Sequence, residues 1–68
     1  MPTPPSERRA LEQERDGLPG QIAAYRRELE MTEHEQRARR DRLDWQIQNL
    51  EQRLAAIEAR LAAIRAES

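Results

Sequence analysis

Cysteine, phenylalanine and lysine are all missing from this chain, and Tyr25 and Trp45 are its only aromatic residues. Without cysteine there is no disulfide framework and no thiolate metal site, and nothing ties the chain to a redox compartment. Without lysine there is neither Schiff-base chemistry nor a P-loop phosphate grip. Apolar runs are short, four residues as in "LAAI" at 54–57 and again at 61–64. No membrane span or secretory signal can be built from them, so a cytoplasmic protein with no membrane partner is expected. Charge of one sign is also lacking: 12 basic residues, all arginine, face 13 acidic ones. A net charge of −1 gives no overall attraction to phosphate backbones or anionic lipid.

What remains is 68 residues, 37% of them charged. A chain of this size rarely buries enough surface alone and usually needs a staple. With disulfides and thiolate metal sites excluded, the expected staple is association with another chain.

"MPTPP" at 1–5 has nothing to bury and reads as a flexible start. Ser6 stands where a helix N-cap belongs, with Glu7 in the favoured first turn, so a short helix is expected over 6–16. "GLPG" at 17–20 supplies a C-terminal glycine and a proline that stops one helix and can start the next. The expected break is therefore a turn at 17–20. From Gln21 to Ala66 there is no further glycine or proline, which predicts one long helix over 21–67.

The apolar spacing explains why that helix should form. Leu43, Ile47, Leu50, Leu54, Ile57, Leu61 and Ile64 step by 4 and 3 alternately, a heptad seam. Ile22, Tyr25 and Leu29 belong to a weaker seam that begins at Leu18 and continues through Thr32 and Gln36. Between the two, the steps 32, 36, 40, 43 contain two successive fours. In a continuous coiled coil that is a stutter, a local relaxation of the supercoil. Both seams are assigned to oligomerisation, and leucine at a with isoleucine at d in the last heptads favours states above the dimer. The expected fold is all-α: short helix, turn, then a long helix in a homo-oligomer of two to four chains. A lone helix buries none of its seam, so folding and association should be coupled.

The polar stretch "EHEQRARRDR" at 33–42 contains Arg37, Arg39, Arg40 and Arg42. At 100° per residue they point at about 0°, 200°, 300° and 140°, around the helix and not along one stripe. Acidic residues lie one turn from three of them, which neutralises the local field. A nucleic-acid role for this cluster is therefore the secondary reading. His34, the sole histidine, brings too few ligands for a metal site, and Met31 stands where a Glu-x-x-His motif needs glutamate. No cofactor, metal or catalytic group is assigned, and the chain reads as a non-enzyme.

Trp45 is the remaining candidate. It falls at heptad position f, opposite the seam, at the head of Asn49, Gln52, Ala56, Ala59, Ala63 and Ala66. Small residues let another helix of the same assembly approach, which would place the indole in the protein's own core. The competing expectation is an anchor for a separate partner, since aromatics are enriched at binding hot spots. The function inferred from the residues is a protein–protein interaction module: an adaptor, assembly factor or inhibitor of a larger protein.

Overall fold

The computed structural model describes residues 2–67. Two helices, α1 (Pro5–Met31) and α2 (Arg37–Ala66), fold back on one another, and there is no strand among the described residues. The hairpin is a narrow rod of 52 × 14 × 13 Å. Its two arms are joined by residues 32–36, within the usual length of an αα-hairpin loop.

The turn lies fifteen residues beyond the expected one, and "GLPG" is helical. The reason is the seam. Leu11, Arg15, Leu18, Ile22, Tyr25, Leu29 and Thr32 step by 4 and 3 without interruption, straight through Pro19. Leu18 and Ile22 are buried against α2, while Gly17, Pro19 and Gly20 face solvent. A proline in a helix interior costs about 3 kcal/mol, and burial of each of the two aliphatic side chains returns about 1.5–3 kcal/mol. Tertiary packing outweighs the local breakers. The long helix expected over 21–67 is accordingly two pieces, 21–31 completing α1 and 37–66 forming α2.

The N-terminus also differs from expectation. Pro4 is the N-cap and Pro5 opens α1, where a missing N–H is harmless; Ser6 lies inside the first turn and makes no cap bond. Of the stretch 1–5, Met1 lies outside the described residues, and Thr3 is tied to the far end of the chain. Its N–H donates to Glu67 Oε2 at 2.8 Å and its hydroxyl to Glu67 Oε1 at 3.1 Å.

The seam assigned to oligomerisation closes within one chain. Leu43, Ile47, Ile57, Leu61 and Ile64 are buried, with Leu50 and Leu54 half-buried beside them. From α1, Ile22 is buried and Tyr25 and Leu29 are half-buried. Leu18, Ile57, Leu61 and Ile64 form the main cluster, and Leu11 packs on it. A single chain thus covers the seam that the sequence pattern assigns to contact with a second chain.

Candidate functional site

Flanking the apolar seam runs a ladder of ion pairs that fixes how the helices face each other. Glu7 meets Arg60 at 3.8 Å, Glu14 meets Arg53 at 2.6 Å, and Glu28 meets Arg39 at 2.8 Å. Each step of seven up α1 is matched by a step of seven down α2, as an antiparallel pair requires. The Glu14–Arg53 contact is bidentate, with Arg53 Nη2 donating to Glu14 Oε1 at 2.9 Å. These bonds hold the Glu14 carboxyl below its ordinary pKa and raise that of Arg53. On the other flank Arg26 pairs with Glu51 at 3.0 Å.

The same seven-residue spacing puts Gln21 opposite Gln46, between the Glu14–Arg53 and Glu28–Arg39 rungs. Here the ladder carries no charge. An open groove of about 220 Å³ occupies the gap, lined by Gln21, Tyr25, Trp45, Gln46, Asn49 and Leu50. Trp45 is 65% exposed. The expectation that it packs into the protein's own core is not met within the chain, because α1 covers the opposite side of α2. The alanines beyond it (Ala56, Ala59, Ala63 and Ala66) are exposed as well. Each wall of the groove pairs apolar surface from Tyr25, Trp45 or Leu50 with a side-chain amide that can donate and accept.

The four arginines of the polar stretch do not converge. Arg39 is spent on Glu28, and Arg40 donates across the turn to the carbonyls of Thr32 and Leu29 at 2.8 and 3.3 Å. The side chains of Arg37 and Arg42 are exposed and make no ion pair or hydrogen bond among the described residues. His34 sits exposed in the turn, and no three metal-ligating side chains are grouped among the described residues. A larger groove, about 510 Å³, lies beside the turn at Met31, but Arg27, Glu28, Glu33 and Arg39 make its wall strongly charged. No helix of the described residues is long and apolar enough to cross a membrane.

Residues 6–68 match the family described as the ENOX1-like domain, so the match covers both helices and the turn between them. No curated protein and no solved structure shows significant similarity to the chain.

Proposed function

The chain belongs to the ENOX1-like domain family, and we propose that it is a non-enzymatic interaction module whose Trp45 groove takes a helix of a larger protein. The reading rests on one observation: a tryptophan left 65% exposed at the single uncharged rung of an otherwise charged ladder. A matching helix would bring an apolar anchor to lie between Tyr25, Trp45 and Leu50. It would carry amide or hydroxyl groups for Gln21, Gln46 and Asn49, and no charge at the centre, where none is available to pair with it. An adaptor, an assembly factor and an inhibitor all fit such a surface. The nucleic-acid alternative has less support, since Arg39 and Arg40 are already used to hold the hairpin.

The test starts with the free protein, whose single indole should emit as in water. Partner proteins retained from the native organism are then quantified on the parent chain and on Trp45→Ala. Truncation of a hot-spot tryptophan should weaken retention by about 2 kcal/mol or more, roughly thirtyfold, with helicity unchanged. Equal retention by both chains would remove the groove from the proposal. Steeply salt-dependent binding of DNA or RNA by the free protein would favour the alternative.

A further inference from the structure

Thr32 and Arg40 meet across the turn, and they are equidistant in sequence from Gln36. The same rule runs through the rod. Leu18 and Leu54, which belong to one cluster, are equidistant from Gln36, as are Leu11 and Leu61. An antiparallel register centred on one residue has a consequence. If the turn straightens into helix, a second copy related by a two-fold axis at residue 36 presents the same partners at the same levels. Each contact along the seam then becomes a contact between chains, and only the Arg40 bonds to the carbonyls at the turn are given up, where the continuous helix supplies backbone N–H groups instead.

The turn is suited to such straightening. Residues 32–36, "TEHEQ", contain no glycine and no proline, and no described residue has a positive φ. Thr32 (φ −89°, ψ 128°) and Gln36 (φ −89°, ψ 61°) leave the helical region mainly through ψ. Many helices are stopped by a left-handed glycine or asparagine just past their last turn, and no described residue here has that conformation. Moreover, Gln36 continues the spacing of the α1 seam, four residues after Thr32. On the two-fold it would face its own copy, and an amide can both donate to and accept from an identical amide. Its neighbours Glu35 and Arg37 would meet like charge there. The four-residue offset between the seams is the kind that a continuous coiled coil absorbs by local unwinding.

We propose that two copies of this chain exchange helices about Gln36 to form an antiparallel dimer of two continuous helices. Exchange of an identical element is a low-cost route to a dimer, because it reuses contacts already present. The hairpin is the dilute form and the dimer the concentrated one. In the dimer each groove is composite, with Gln21 and Tyr25 from one chain and Trp45, Gln46, Asn49 and Leu50 from the other. The two Trp45 side chains lie eighteen residues apart along the rod, about 27 Å at 1.5 Å per residue. Related by a two-fold normal to the rod, they open on the same side and suit a partner with two equivalent helices. The exchange itself does not depend on what the grooves bind.

The absence of native cysteine makes the test direct. A Leu18→Cys chain is mixed with a Leu54→Cys chain, unfolded, refolded at high concentration and oxidised. The exchange predicts disulfide dimers containing one of each chain, in manyfold excess over Leu18→Cys linked to itself, whose two sites would lie about 54 Å apart along the rod. Docking of intact hairpins would leave Leu18 inside each core and give no such preference. Sedimentation equilibrium from micromolar to millimolar chain should show monomer converting to dimer. Arg37→Pro places proline at the first position of α2, where its missing N–H costs nothing in the hairpin but breaks the continuous helix. Its dimer should be weaker by roughly a hundredfold or more, with hairpin helicity kept. Deletion of residues 33–36 joins the two seams into one frame and removes the turn, so this variant should be dimeric throughout. A parent chain that stays monomeric at millimolar concentration, or a mixed disulfide no more abundant than the self-linked one, would overturn the proposal.

Discussion

Arg40 closes the end of α1 from the other helix. Its Nη1 donates to the Thr32 carbonyl at 2.8 Å and to that of Leu29 at 3.3 Å, which also accepts the Thr32 N–H at 3.1 Å where the helix stops. Thr32 completes the closure by donating its hydroxyl to the Glu28 carbonyl at 2.7 Å. A cation at a helix C-terminus is also favoured by the dipole. This matters because α1 has no basic residue of its own in the last turn and α2 no acidic residue in its first. The C-terminal end of α1 is served by the other arm, which couples turn formation to packing.

Arg40→Ala should therefore destabilise the hairpin by about 1.5–3 kcal/mol, the range for hydrogen bonds to a charged group. In a domain of this size that lowers the melting temperature by several degrees per kcal/mol. Arg40→Lys keeps the charge but loses the planar fork, so an intermediate loss is expected. Thermal melts followed by circular dichroism would measure both. A melt of Arg40→Ala superimposable on the parent would show that water caps these carbonyls equally well.

Pro19 gives the opposite prediction, a gain. It lies exposed in the middle of α1, where alanine is better by about 3 kcal/mol in a helix interior. Gly17 and Gly20 have open space where a Cβ would stand and no positive φ. Alanine at either should add about 0.5–1 kcal/mol. Urea unfolding of Pro19→Ala, Gly17→Ala and Gly20→Ala should move each midpoint upward. A Pro19→Ala chain less stable than the parent would mean that the proline is serving a bend the seam needs.

The helical class and the α2 seam were legible because they depend on spacing, which one chain carries in full. The position of the turn was not, because two local signals disagreed with a longer-range one. "GLPG" has the chemistry of a helix stop, yet Leu11 lies seven residues before Leu18 and in frame with it. That interval was the available sign that α1 runs on. Likewise the frame step between Thr32 and Arg40 marks the true turn, although in a continuous coiled coil the same step is a stutter. The two readings differ only in whether the seam's partner is the same chain, and spacing carries no information on that. Trp45 was singled out by its position opposite the seam, but its groove depends on Gln21 and Tyr25, which only the antiparallel register brings alongside.

Acid should loosen the hairpin in the half away from the turn, where Glu67 binds Thr3 and Glu14 binds Arg53. The Glu67 carboxyl is held below its ordinary pKa of 4.5 chiefly by the Thr3 N–H, and that of Glu14 chiefly by the Arg53 hydrogen bond. A depressed carboxylate binds fewer protons in the folded state than in the unfolded one, so stability rises with pH across this window. The contribution is complete above about 4.5, the unfolded value, and is lost as pH falls through the lower folded values. Melting temperature should accordingly drop between about pH 5 and pH 3. Glu14→Gln combined with Glu67→Gln should start lower at neutral pH and show a shallower drop. An unchanged slope in the double variant would assign the acid sensitivity to other carboxylates.

Ile57 distinguishes packing within the chain from packing between chains. It is the most deeply buried side chain, 1% exposed, and sits in the cluster with Leu18, Leu61 and Ile64. Ile57→Ala removes three buried carbons and should cost about 2–5 kcal/mol, a large fraction of what so small a domain has. Ile57→Asp places an unpaired charge in the same layer and should abolish helicity. Because the layer is completed by the chain's own α1, the loss should be the same at every protein concentration in the micromolar range. Unfolding of the parent should likewise have a midpoint independent of concentration there, as it cannot in an assembly that folds only on association. A midpoint that climbs steadily with concentration from the lowest values measured would mean that the seam is completed by another chain even when dilute, and the hairpin would then be the minor form.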